Sequence, residues 1–229
     1  MRVAIIPARG GSKRIPKKNI KLFHGKPMIS WSIKVALKSK IFDRIIVSTD
    51  DSEIAEIARE SGGEVPFIRP EKLSDDYATT ADVMEHAAHW LKDEEPSISE
   101  LCCIYATAPF VEANDIELGL EMLISGGWQY VFSATEFSAP IFRGFRKGDG
   151  GLEMIFPEHY LTRSQDLPKV FHDAGQFYWG THHAWLSKAP IFSNKSDFLE
   201  LSRLRVQDID TPEDWDTAEK MFTLLSAVK

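Results

Sequence analysis

The chain of 229 residues has only two cysteines, Cys102 and Cys103. Adjacent cysteines cannot close an ordinary disulfide framework. Their apolar setting, LCCIYA, reads as buried, inert thiols in a reducing compartment. No apolar run approaches the ~18 residues of a membrane-spanning helix, and the stretch after Met1 is far too short for a secretory signal. A cytoplasmic protein without a membrane partner is therefore expected. The phosphate-loop pattern Gly-x-x-x-x-Gly-Lys-Ser/Thr is missing, since HGKP at 24–27 lacks the hydroxyl, and so is the dinucleotide fingerprint Gly-x-Gly-x-x-Gly. The seven histidines form no zinc signature: His86 and His89 are three apart, His182 and His183 adjacent, with no Cys partner and no His-Glu-x-x-His. Neither a Ser–His–Asp nor a Cys–His arrangement, an internal repeat nor a low-complexity linker stands out. Basic residues are outnumbered 27 to 34, giving a formal net charge of −7. That balance argues against general nucleic-acid binding, which wants a basic domain.

Against this acidic background stands one basic stretch, IPARGGSKRIPKKN. Arg9, Lys13, Arg14, Lys17, Lys18 and Lys21 fall within thirteen residues, with no acid among them. Gly10 and Gly11 let the backbone approach an anion and aim N–H groups at it. The lysines supply charge and the arginines bidentate donors. A solvated basic loop is the commoner meaning of such a run. Its position after the apolar run RVAIIPA (2–8), read as a buried strand, favours a polyphosphate cradle instead.

The rest of the chain alternates strands with helices. Helices are expected at 27–40, opening on Pro27, at 51–63 with Asp50 and Glu53 as a capping box, at 76–93 and near 113–125. Strands are expected at 44–50, 64–68, 101–108 and 130–136. This alternation predicts an α/β protein with a mainly parallel sheet and helices on both faces. Ligands of such sheets bind beyond the carboxyl ends of the strands. From 137 to 175 the rhythm breaks, and GDGG between two short runs predicts a hairpin. An aromatic strand over 175–185, a last strand RLRVQDID (203–210) and a closing helix follow, in a single domain spanning 1–229.

Asp208 and Asp210, two apart on a strand, would face the same side while Ile209 faces the core. Carboxylates so placed repel unless a cation lies between them, and hard oxygen ligands suit Mg²⁺ bridging to phosphates. Asp214 has a plainer job, capping the last helix together with Thr211. A basic glycine loop and a paired carboxylate at strand ends are the equipment of nucleotidyl transfer.

IPARGGSKRIPKKNI resembles the nucleotide-binding signature of the cytidylyltransferases that activate sialic-type sugar acids. RPEKLSDDYATT (69–80), YATAPF (105–110), RSQD (163–166) and DIDTPEDW (208–215) resemble further family segments, in the same order. The resemblance implies a Rossmann-like domain of the nucleotide-diphospho-sugar transferase type. It also implies a homodimer, with the arm at 137–175 reaching the partner's site. CTP would meet Arg9, Gly10, Gly11, Ser12, Lys13 and Asn19, with Lys18 on the phosphates and Arg69 and Ser74 near the base and ribose. The sugar acid would meet Tyr105, Arg163 and Gln165, and Asp208 and Asp210 would hold Mg²⁺. Arg9, Lys13, Asp208 and Asp210 are the implied catalytic set. Tyr105 and Phe110 depart from the neuraminate enzymes, and YATAPF, RSQDL and HDAGQFYWG are similar to the branch acting on pseudaminic acid. A more apolar pocket around Tyr105 and Phe110 would suit a 9-deoxy sugar with a second acylated amine. N-acylneuraminate and legionaminate are the alternative substrates. A sugar-1-phosphate nucleotidyltransferase of another base, a nucleotide sensor and a nucleic-acid module are the remoter readings. The last is disfavoured because 5–22 holds no aromatic residue.

Overall fold

The computed structural model describes residues 1–95 and 97–227. A six-stranded sheet is built from β1 (Arg2–Pro7), β4 (Arg44–Ser48), β5 (Glu100–Ile104), β6 (Tyr130–Glu136), β9 (Phe171–Thr181) and β10 (Ser196–Glu200), in the spatial order β10-β6-β9-β5-β1-β4. Two short pairs stand outside it: β2 (Leu22–Phe23) with β3 (Lys26–Pro27), and β7 (Phe145–Gly148) with β8 (Gly151–Met154). The latter is the expected GDGG hairpin.

The sheet pairs parallel except at β9, which runs antiparallel to β5 and β6. Its side chains alternate between two cores. Ala4 and Ile6 of β1 join one cluster, while Val3 and Ile5 join the other. The first face is covered by α1 (Met28–Ser39), α2 (Ser52–Glu60) and α4 (Ala113–Gly126), the second by α3 (Thr80–Glu94) and α5 (His182–Leu186). This is the expected Rossmann-like arrangement of helices on both faces. Both cysteines lie in it fully buried, and burial pushes their thiols up, Cys102 well above the ordinary value. Among the described residues no helix is long and apolar enough to cross a membrane.

Several local expectations are corrected. The cap of α2 is Asp51, which accepts from the N–H groups of Glu53 and Ile54, so Asp50 is released for another task. Residues 64–68 make two isolated bridges, Glu64 to Ile46 of β4 and Ile68 to Thr49 just beyond it, instead of a strand. Helix α3 starts at Thr80 because Thr79 and Asp82 form its capping box. RLRVQDID is not a strand: it is a single 3₁₀ turn at Arg203–Arg205 and an extended tail, and the edge strand is β10. Alternation survives in that tail without ladder hydrogen bonds, with Ile209 buried and Asp208 exposed. The closing helix α6 (Pro212–Ala227) does start at the Thr211–Asp214 box.

A third apolar cluster decides where the basic loop sits. Ile15 of the loop and Ile209 of the tail are both buried with Phe23, Met28, Phe110 and Trp215. Two apolar anchors thus hold segments nearly two hundred residues apart in one place. Phe110 is spent in this cluster and lines neither of the two cavities described below, so the expected apolar contribution of Phe110 to a sugar pocket is not found.

Candidate active site

The loop after β1, the end of β4 and the loop after β5 meet at the carboxyl edge of the sheet, where ligands of open α/β sheets bind. The loops after β1 and β5, with residues 69–83 and Asp210, enclose a cavity of about 640 Å³ whose lining includes Arg9, Ser12, Lys13, Arg14, Lys18, Asn19, Arg69 and Tyr105. Residues from four separate stretches of sequence are thereby gathered.

Gly10 sits tightly on the N-terminus of α2. A Cβ there would lie 2.6 Å from Asp51 Oδ2 and 2.9 Å from its Cβ, so any side chain would displace the helix cap. Gly11 faces open space. The Gly10 N–H donates to Asp50 Oδ1 at 3.0 Å. Arg69, only 4% exposed, lies 3.5 Å from the same oxygen and donates to Ser74 Oγ at 3.2 Å. Burial lowers the Arg69 pKa, opposed by the Asp50 charge. Asn19 is buried and donates to the Arg9 carbonyl at 2.9 Å, which ties the loop's end to its beginning.

The six cations divide into distinct jobs. Arg9 Nη1 donates to Asp76 Oδ1 at 2.8 Å and to the Asp75 carbonyl at 2.8 Å, and Lys13 donates to the other Asp76 oxygen. Arg14 pairs with Asp210 Oδ1 at 2.9 Å. Lys18 donates to the Ile209 carbonyl at 2.6 Å and reaches Asp210 Oδ1 at 3.3 Å. Lys17 pairs with Glu53, outside the cavity. Lys21 lies over the Trp215 ring, 4.2 Å from its centroid, as a cation–π contact. Four of the six therefore serve the cavity and two serve the scaffold.

Asp76 went unnoticed in the sequence because an Asp-Asp pair after a serine usually marks a solvated turn. Here its carboxylate occupies the two cations best placed for a phosphate, and their hydrogen bonds hold its pKa below the usual aspartate value. A carboxylate so depressed keeps its grip at neutral pH and releases it only as pH falls through that lowered value. Asp76→Asn is expected to lower the apparent KM for a polyphosphate substrate by up to about fivefold, the range of exposed charge pairs. Initial rates at neutral pH and fixed ionic strength check this.

Asp208 and Asp210 line different cavities. Asp210 lines the cationic one, Asp208 a second of about 580 Å³. Burial first, and then the Asp210 charge, raise the Asp208 pKa. Among the described residues no group of three or more His, Cys, Asp or Glu is gathered for a metal. Two hard carboxylates nonetheless fit an ion that takes its remaining ligands from phosphates and water.

Tyr105 is the partition between the cavities and lines both. Its hydroxyl is 2.9 Å from that of Thr80, and its ring packs 5.3 Å from Tyr178. Asp173 and Tyr178 complete the second cavity's inner wall. They reach this edge because β9 runs against its neighbours, and a register shift near Ser133 re-aims its first half. Arg163 and Gln165 are not part of either cavity. Arg163 is on the arm, exposed and paired with Asp166, and Gln165 lines a separate groove with Lys169 and Arg203.

A doubly covered, mainly parallel sheet with a cation-lined, glycine-bearing loop at its carboxyl edge and a carboxylate opposite defines a nucleotidyltransferase. A family model described as cytidylyltransferase matches residues 3–225, and the chain belongs to the cytidylyltransferase family. It is 45% identical over 221 residues to a pseudaminic acid cytidylyltransferase of Campylobacter jejuni, covering 96% of this chain and 95% of that one. A CMP-N,N'-diacetyllegionaminic acid synthase of Legionella pneumophila is 31% identical, covering 97% and 96%. Among solved structures, CMP:2-keto-3-deoxy-manno-octonic acid synthetase complexed with CTP superposes with a TM-score of 0.72 over 97% of this chain and 98% of its own, at 17% identity. The last likeness is one of fold.

Proposed function

We propose that this enzyme transfers CMP from CTP to a nine-carbon 2-keto sugar acid, pseudaminic acid in preference to neuraminic or legionaminic acid, and releases diphosphate. The observation that carries it is the pair of cavities joined at Tyr105, one rich in cations for a triphosphate and one aromatic and polar for a neutral-bodied sugar. The 45% identity to a pseudaminic acid enzyme favours that substrate.

In this reading Arg9, Lys13 and Lys18 hold the triphosphate with the Gly11 N–H and Ser12, which lines the cavity; the Gly10 N–H is taken by Asp50 and the Ser12 N–H by the Gly10 carbonyl, so Gly10 shapes the loop, while Asn19 keeps it closed. Arg69 and Ser74 lie by the nucleoside. The sugar's anomeric C2 hydroxyl attacks the α-phosphorus; a C2–O–P bond forms, the bond to the β-phosphate breaks and diphosphate departs. The hydroxyl proton is released toward the Asp208–Asp210 side. Holding both substrates in line supplies much of the rate. Asp208 and Asp210 would hold Mg²⁺, which when bound neutralises phosphate charge and polarises the reacting phosphoryl group.

Arg163 and Gln165 reach a sugar only if they come from a second copy. The arm supports a homodimer, since Phe145, Leu152, Ile155, Tyr160 and Leu161 are all exposed on it, more apolar surface than one short segment normally leaves in water. Diphosphate release with CTP, UTP or ATP, Mg²⁺ and a panel of pseudaminic, legionaminic and neuraminic acids tests the proposal. Preferred turnover of CTP with pseudaminic acid is expected, and a clear preference for neuraminic acid overturns the choice of sugar. Turnover of a sugar 1-phosphate instead overturns the reaction.

A further inference from the structure

The second cavity is lined by Tyr105, His172, Asp173, Tyr178, Gln207 and Asp208 together with small or apolar residues, and by no lysine or arginine. That is a curious wall for an acidic sugar. The sugar's carboxylate finds no permanent cation there, so this wall must recognise something else. What it offers is hydrogen-bond acceptance beside aromatic rings.

Asp173 is the best-oriented acceptor. Its Oδ2 receives the Tyr178 hydroxyl at 2.5 Å and its Oδ1 receives the Gly175 N–H at 2.8 Å. Gly175 adopts a φ of +61°, and a Cβ there would come 4.0 Å from the Tyr105 ring, so the turn that presents Asp173 suits glycine. Tyr178 is buried, and burial holds its phenol protonated far above ordinary pH. It therefore donates to Asp173 permanently and has no proton left for a ligand. An ionised carboxylate has about four acceptor positions. Two are filled, and Asp173 is exposed, which leaves acceptor capacity on the open side.

We propose that Asp173 is a specificity-determining residue that accepts the amide N–H of an acylamino group on the sugar acid, with the acyl methyl against the Tyr105 and Tyr178 rings. The inference rests on reading the second cavity as the sugar site. A planar acylamino group meets both requirements at once, since its N–H bonds to a charged acceptor while its methyl lies on an aromatic face. A hydroxyl in the same position has no group for the rings. At the position that meets Asp173, a sugar acid carrying an acylamino group is thereby selected over one carrying a hydroxyl. Tyr178 acts as a positioning residue that holds the carboxylate.

The test uses Asp173→Asn and Tyr178→Phe in the full chain, with steady-state diphosphate release for pseudaminic acid and N-acetylneuraminic acid at saturating CTP. For Asp173→Asn the KM for pseudaminic acid should rise about ten- to a hundredfold, the scale of a bond to a charged group. The KM for CTP and kcat should stay within a few fold, and the preference over N-acetylneuraminic acid should fall. Tyr178→Phe should shift the same ratio less, so the test survives if the first variant fails to fold. An unchanged ratio in a folded Asp173→Asn enzyme overturns the role of Asp173 while leaving the proposed reaction intact. A fall in kcat alone for both sugars does the same. If the unmodified enzyme releases no diphosphate with any of these acids, the proposed reaction and this inference fall together.

Discussion

If Asp210 holds the proposed Mg²⁺, Asp210→Asn is expected to leave a folded enzyme with its turnover reduced by about a hundredfold or more, the cost of losing a metal ligand or its close support. The fold should survive because Asp210 is not a core residue. Its side chain is 36% exposed, and the anchor of its segment is the neighbouring Ile209. Lys18 keeps its bond to the Ile209 carbonyl, so the loop stays docked. The amide preserves volume and can accept a hydrogen bond, but it no longer offers full negative charge to a cation. Thermal unfolding within a few degrees of the parent, together with collapsed turnover at any Mg²⁺ concentration, is the expected pair of readings. Normal Mg²⁺-dependent rates in the variant refute the assigned role.

Lys13→Ala is expected to raise the KM for CTP by about ten- to a hundredfold, the scale of hydrogen bonds to charged partners, while the KM for the sugar changes little. The side chain is 79% exposed and has Asp76 as its ion-pair partner, so truncation opens no cavity. The loss should shrink as ionic strength rises, because salt already screens the exposed cation. Combining Lys13→Ala with Asp76→Asn provides the internal control. If Asp76 competes with triphosphate for Lys13, the gain from Asp76→Asn should be smaller once Lys13 is absent, a non-additivity readable in a double-mutant cycle. Equal and additive effects on both substrates indicate a general loosening of the loop instead.

Much of this enzyme was legible before any coordinates. The buried strand 2–7 announces itself by a short apolar run rich in β-branched residues, and the loop after it by charge without compensating acid. The Thr211–Asp214 cap was readable because it is a local hydrogen-bond pattern. Less legible was the strand near the end of the chain. RLRVQDID has the alternation of a strand but pairs with no neighbouring strand, whereas SDFLE does, beside β6. Alternation reports which side chains are buried, not whether a ladder forms. Asp50 and Asp51 show the same limit at shorter range. Either carboxylate could cap α2 by spacing, and the close approach of Gly10 and Arg69 assigns Asp50 to the site and Asp51 to the helix.

By itself the sequence determined the layered α/β class and marked out the basic loop after the first strand, because each rests on interactions within a few residues or on a repeating pattern of burial. The tertiary structure alone decided which cations line the cavity, how Asp76 pairs with two of them, and that Phe110 belongs to the core while Asp173 and Tyr178 line the second cavity. Those outcomes depend on long-range docking, Ile15 against Ile209 in one place and an antiparallel β9 in the other. No local spacing encodes which distant segment will be brought alongside.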